Sequence, residues 1–314
     1  RIHRVHPILA YGNAAFLPQL FWRLRDATTI HLHYPALGME IPVLFWSFFG
    51  ERLVTTYHMD LVGKGMLMRA MFRLYSLIFL PLVLYRSSVI FVTSYDYAET
   101  SPLIGPFFKK NKVKFIELPC SVDTDHFRPG TAGHTSDTIL FVGALDSAHY
   151  SKGVPVLLEA FAHVKNSEYK LVIIGDGDLR STYSRRATEL GISDRVLFLG
   201  SVDHEELLHW YAQSRCLVLP STDATEAFGV VIIEAAASGI PAIASNLRGV
   251  RSVIEDGGTG LLVEPGNVNQ LAEKIQWIIS NPDEARTMGH AARKRVEDRY
   301  SYDVVKKKYL NYLY

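Results

Sequence analysis

From residue 137 onward the chain alternates between short apolar runs and longer amphipathic ones. "TILFVGA", "KLVIIGDG", "RVLFLGS", "CLVLPS" and "PAIAS" are β-rich. Between them "GVPVLLEAFAHV", "RSTYSRRATELG", "HEELLHWYAQ" and the run after Gly229 carry helical spacing. A strand that is apolar at nearly every position must be covered on both faces, which crossover helices achieve on a parallel sheet. The first part repeats the pattern with "TTIHLHYP", "RLVTTYHM", "SSVIFVTS" and "KVKFIEL" as strands. Helical spacing there falls at residues 14–25, 41–49 and 65–85, with a bend or break expected at Pro81.

Between the halves runs "PCSVDTDHFRPGTAGHTSD", rich in Pro, Gly, Ser, Thr and Asp, which marks a linker. The expected fold is therefore α/β, with two doubly wound, Rossmann-like domains. The first spans residues 1–130, the second 131–298, and a closing helix at 299–314 is expected to return to the first. Ligands of such sheets bind at the carboxyl ends of the strands, here expected to face an interdomain cleft. A chain of 314 residues suits two ordinary domains.

Composition removes several classes of function. A formal charge of +1 offers no field for nucleic acid. Cys120 and Cys216 stand alone, without metal or redox spacing, and fit free thiols in a reducing cytoplasm. The longest apolar tract, "SLIFLPLVLY", is about half the ~20 residues a bilayer requires, so no transmembrane helix is expected.

The stretch "STDATEAFGVVIIEAAASG" places Glu234 inside an apolar run, with Glu226 just ahead of it. An unpartnered buried carboxylate is costly. Asp223 or Thr225 can cap the helix, and Gly239 ends it before Pro241. Its amino end follows the strand "CLVLPS", where free N–H groups and the helix dipole favour phosphate. Glu234 lies about 6 Å along the axis from Val230, at ~1.5 Å per residue, and its side chain leans toward that end. Two acceptors flanking a phosphate suit a nucleotide linked to a sugar. Equally, Glu234 can pair with a buried arginine while Glu226 serves the dipole alone.

The ordered set "FVGALDSAHYSKG", "LVIIGDGDLR", "VLFLGSV", "EAFGVVIIEAAASGIPAIAS", "GVRSVIEDGGTGLLVEPGN" and "RYSYDVV" resembles the retaining GT-B glycosyltransferases of family 4. "IHLHYP" and "VTTYHMD" extend the resemblance through the first half. It implies that Glu234 binds ribose hydroxyls and Glu226 the transferred sugar. Backbone amides of Ala227, Phe228 and Gly229, with Val230 beside them, would hold sugar and diphosphate. Gly143, the loop Gly175-Asp176-Gly177 and, toward the base, Val202 complete the donor residues. The glycines of that loop look like a dinucleotide fingerprint, but its third place is Arg180, which argues against a nicotinamide. No cofactor and no metal are expected.

Lys152 follows the first strand of the second half and can meet a departing diphosphate, although a solvated loop lysine fits its position as well. The place that usually holds a second cation in the family is Ala144, leaving Arg248 or Arg251 as substitutes. His58, at the end of "RLVTTYH", can bind sugar or polarise the leaving phosphate, or be a surface histidine. His31 and His33 share a strand face, a poor zinc site without a third ligand. Lys64, Arg69 and Arg73 among methionines and leucines can lay a helix on an anionic membrane, and packing onto the sheet explains the apolar residues equally well.

The expected activity is transfer of a hexose from a UDP- or GDP-sugar to a glycan or lipid-linked acceptor. Glu226, Lys152 and His58 are the catalytic candidates. A nucleotide-sugar epimerase and a non-catalytic nucleotide-sugar-binding protein are the alternatives. Family members open with a strand and a glycine-rich loop that nothing before Arg1 supplies. About two βα units, ~60 residues, are therefore expected upstream, with transfer impaired in their absence. The expected location is cytoplasmic, on the inner face of the membrane.

Overall fold

The computed structural model describes residues 4–11, 14–62, 65–130 and 137–313. They form two compact units, Arg1–Leu118 and Pro119–Tyr314.

In the first unit β1 (Leu9–Tyr11) and β2 (Ala14–Phe16) pair antiparallel. A parallel sheet follows, ordered β3 (Thr29–Tyr34), β4 (Arg52–Tyr57), β5 (Ser87–Val92) and β6 (Phe115–Glu117). Helix Glu40–Phe48 links β3 to β4, and helix Gly65–Arg86 links β4 to β5. Ile30, Leu32, Val43, Leu44, Leu53 and Val83 form a shared core. The helix expected at 14–25 shrinks to Leu20–Arg23. Pro18 lacks the N–H a helix interior needs but accepts Phe21 N at 3.0 Å, so it can only lead into that short helix.

Helix Gly65–Arg86 runs through Pro81 without the expected break. The carbonyl deprived of a partner is that of Leu77, whose side chain faces solvent, where water can serve instead. The tract at 76–85 is only part of this helix, which by length and composition is long and apolar enough to cross a membrane. The uninterrupted apolar run undercounted it because Arg69 and Arg73 divide the first half. Ser76, Leu80, Val83 and Leu84 are buried, while Met66, Leu67, Met71, Leu74 and Leu77 are exposed. Lys64 lies outside the described residues.

The second unit holds β7 (Thr138–Val142), β8 (Lys170–Ile174), β9 (Val196–Gly200), β10 (Cys216–Leu219), β11 (Ala242–Ser245) and β12 (Gly260–Val263). All are parallel, in the order β12-β11-β10-β7-β8-β9. The chain fills the sheet outward from β7 in one direction, then from β10 in the other. Two cores cover its faces, one with Leu157, Phe161 and Ile275, the other with Leu217, Ile233 and Ile240.

The boundary falls at Leu118/Pro119, ahead of the position near 130 expected from composition. The polar stretch is anchored to the second unit at both ends of an isolated bridge between Val122 and Ser301. Val122 N donates to Tyr300 O at 2.9 Å, and Phe127 is buried against Tyr211. Its polar composition hid these two apolar anchors. The closing helix, Tyr302–Leu313, also belongs to the second unit, where Tyr302 N donates to Val122 O at 3.1 Å.

Candidate active site

The reversal of strand order between β7 and β10 is the place where an open α/β sheet binds ligands. The loops that leave these two strands carry Lys152 and Glu226. Lys152 Nζ lies 3.0 Å from Glu226 Oε2, with side chains 21% and 17% exposed. One residue earlier on each loop, Ser151 Oγ meets Thr225 Oγ1 at 2.8 Å. Thr222 N donates to Ser151 O at 2.7 Å. Two loops 74 residues apart are thus joined rung by rung.

Glycine makes this approach possible. A Cβ on Gly153, at φ +75°, would lie 2.0 Å from Pro220 O. One on Gly143 would lie 2.8 Å from Lys152 Cδ, so the lysine stem rests across that glycine. The turn Ser147–Lys152 is capped by Asp146, whose carboxylate accepts from Ala148 N and His149 N.

Neither Asp223 nor Thr225 caps helix Val230–Ala237. Its N-cap is Gly229 at φ +81°, with no side-chain cap. Asp223 Oδ1 instead accepts from Thr225 N at 2.9 Å and Thr225 Oγ1 at 2.5 Å, closing a local turn. The left-handed glycine separates that turn from the helix. First-turn amides are left without a side-chain acceptor, as an anion site requires. Ala227 and Phe228 are buried, the Phe228 ring edge-on to Tyr300 at 5.8 Å, so only their backbone can serve a ligand. Val230 is exposed.

Glu234 pairs with a tyrosine, not an arginine. Tyr211 Oη donates to Glu234 Oε2 at 2.7 Å. Burial raises the Glu234 pKa, against the opposing effects of the Tyr211 hydrogen bond and the His204 charge. Among the described residues its second oxygen has no partner. Tyr211, Ser151 and Thr222 escaped the sequence reading. Tyr211 is fully buried, so its hydroxyl needs a partner, but that burial is not visible in the sequence.

Gly175 and Gly177 bring loops together. Their Cβ atoms would lie 1.9 Å from Gly143 O and 2.3 Å from Asp146 N. Asp176 O accepts from Leu145 N at 2.9 Å, and its side chain stays exposed, 3.8 Å from Arg180. Val202 packs at the edge of the core that also holds Tyr211. Arg248 and Arg251 follow β11, the neighbour of β10.

His58 directly follows β4 in the first unit, its backbone N–H on Tyr34 O at 2.9 Å. His33 Nδ1 lies 2.8 Å from His58 Nε2, with the two rings stacked. His31 stands 4.5 Å from His33, ring to ring, and 2.8 Å from Thr56 Oγ1. Burial lowers the pKa of all three, and the charges of His33 and His58 help hold His31 at about 4. Among the described residues no group of three or more His, Cys, Asp or Glu is arranged to hold a metal ion. Asp60 accepts from Tyr57 Oη and Ser101 Oγ at 2.6 Å each, a structural role.

Residues 122–295 match the family model "Glycosyl transferases group 1". The chain is 28% identical to the D-rhamnosyltransferase WbpZ of Pseudomonas aeruginosa, covering 94% of this chain and 76% of that protein. It is 28% identical to a GDP-mannose-dependent phosphatidylinositol monomannoside mannosyltransferase of Mycobacterium tuberculosis, over 72% of this chain and 61% of that one. Among solved structures, Anabaena Alr3699/HepE in complex with UDP superposes with a TM-score of 0.76 at 18% identity, over 94% of this chain and 80% of that one. A sucrose-phosphate synthase from Thermosynechococcus elongatus gives 0.70 at 26% identity, over 91% and 73%.

Proposed function

The chain belongs to the glycosyl transferases group 1, and on that premise we propose that it moves a hexose from a nucleotide-diphospho-sugar to a glycan or lipid-linked acceptor. The observation that carries this reading is the Lys152–Glu226 pair set before the uncapped helix Val230–Ala237 at the strand-order switch. The first-turn amides and Lys152 receive the diphosphate. Glu234 takes the ribose hydroxyls through its unpartnered oxygen, and Glu226 takes hydroxyls of the sugar. The donor base is uracil or guanine, in keeping with the UDP and GDP-mannose named for relatives.

Transfer breaks the bond from the anomeric carbon to the diphosphate oxygen, which keeps the electron pair. Lys152 meets that charge, so no metal is required of the step. The acceptor oxygen bonds to the same face of the sugar and its proton passes to the leaving phosphate, which gives retention. A thermal-shift panel of UDP-, GDP- and ADP-sugars, followed by product analysis, tests the reading. One sugar nucleotide should stabilise the chain and yield a glycosylated acceptor with EDTA present. Activity lost to EDTA and restored by Mg²⁺ or Mn²⁺ would overturn the metal-free mechanism.

The reading extends on the acceptor side to a peripheral membrane contact, taken to be cytoplasmic, which one helix supports. Helix Gly65–Arg86 exposes Met66 and Leu67 at 85% and 86%, carries Arg69 and Arg73, and has no acidic residue. One face packs on its own sheet, so the helix lies along anionic lipid by its other face. Vesicles containing phosphatidylglycerol should sediment the chain, and phosphatidylcholine vesicles should not. Equal binding to both, or concentration-dependent self-association instead, would refute the anionic surface.

A further inference from the structure

The two charges assigned to the donor satisfy each other. Lys152 donates to Glu226 Oε2 at 3.0 Å. Their backbones have little freedom to move apart. Ser151 is tied to Thr225 and Thr222, Thr225 to Asp223, and Gly153 sits against Pro220 O in a fit that admits no Cβ. The stem of Lys152 lies on Gly143. The two side-chain ends are each about one-fifth exposed, within reach of a ligand.

We propose that the Lys152–Glu226 pair is an internal stand-in for the donor, which the complete nucleotide-sugar replaces and the nucleoside diphosphate product replaces only by half. This rests on the donor-site reading above. A diphosphate takes Lys152 away from Glu226. A sugar nucleotide then supplies hydroxyls to the freed carboxylate. The product supplies none and leaves a largely buried carboxylate without the cation it had paired with. The pair therefore favours entry of the intact donor and departure of the spent one. The same carboxylate that orients the sugar lowers affinity for the product, by holding the cation the product needs.

Isothermal titration of UDP and GDP into the wild-type chain, E226Q, K152M and the double variant tests this. E226Q frees Lys152 and should bind the nucleoside diphosphate about three- to ten-fold tighter than wild type. In the K152M background the same change should give no gain, since no cation remains to be released. E226D, which keeps the charge and shortens its reach, should show part of the gain and guards against a misfolded E226Q. Unchanged or weaker product binding in folded E226Q and E226D would overturn the proposal. So would an equal gain in the K152M background, which would mark plain repulsion between carboxylate and phosphate. Failure of wild type to bind either nucleotide would instead bring down the donor-site reading, and this proposal with it.

Discussion

Each unit carries a glutamate on a helix and gives it a tyrosine, with opposite consequences. In the first unit Glu40 is fully buried, takes Tyr75 Oη on one oxygen and Ala36 N at 3.3 Å on the other. Tyr75 Oη in turn accepts from Gly38 N at 3.3 Å, so the network closes on itself. In the second unit Glu234 receives Tyr211 on one oxygen only. Burial raises the pKa of both carboxyls. A closed network holds a fold together, whereas an open one keeps acceptor capacity at an energetic cost. The direction of the pKa shift alone does not separate the two. Partner count and position on the sheet do, because Glu234 follows the strand-order switch.

Replacing both glutamates with glutamine sharpens that contrast. Glu234→Gln should weaken nucleotide binding about 10- to 100-fold, the ~1.5–3 kcal/mol of hydrogen bonds to a charged group. It should not lower the melting temperature at pH 7. A carboxyl whose folded pKa is raised above its unfolded value costs stability once ionised, and the amide removes that cost while still accepting from Tyr211. Glu40→Gln should leave nucleotide affinity unchanged, since its network touches no donor residue. Calorimetry and thermal melts on both variants decide the matter. Intact affinity in folded Glu234→Gln would place it with Glu40, as a structural group.

The second unit was the more legible in sequence because β7, β8, β10 and β11 are buried at nearly every position and so read as unbroken apolar runs. "KLVIIGDG" and "CLVLPS" could hardly be anything else, and both became strands. Glu226, Glu234 and Lys152 stood out as charges next to such runs. What holds them did not. Ser151 meets Thr225 across 74 residues, and Tyr211 meets Glu234 across a strand. Small hydroxyls and an internal tyrosine carry no periodicity that betrays a distant partner. The helix cap failed for a related reason. Asp223 and Thr225 have capping chemistry, but they spend it on each other, and only the left-handed Gly229 shows where the helix begins. In the first unit the aligned imidazoles were half visible. The alternation of His31 and His33 was plain, while His58 joined them through strand pairing.

That imidazole row makes acid the smaller but more selective probe of the difference between units. His31 is held at about 4, below the ~6.5 of an exposed histidine, chiefly by burial. The unfolded chain therefore takes up its proton first as pH falls. Stability contributed by neutral His31 is complete above about 6.5 and is lost as pH drops toward 4. His33 and His58 shift in the same direction, and two protonated rings could not keep the 2.8 Å contact between them. Glu40 acts with the opposite sign, because its raised pKa favours the protonated form in the fold. A single wild-type curve mixes these contributions. The comparison with His31→Gln, which can still reach Thr56, isolates one of them. Amide hydrogen exchange in β3 and β4 should accelerate between pH 6.5 and 4, after correction for intrinsic rates, and less so in His31→Gln. The β7 and β10 amides, with no such row beside them, should differ little between the two proteins. Parallel β3 and β4 profiles for wild type and variant would show that the row carries no pH-dependent stability.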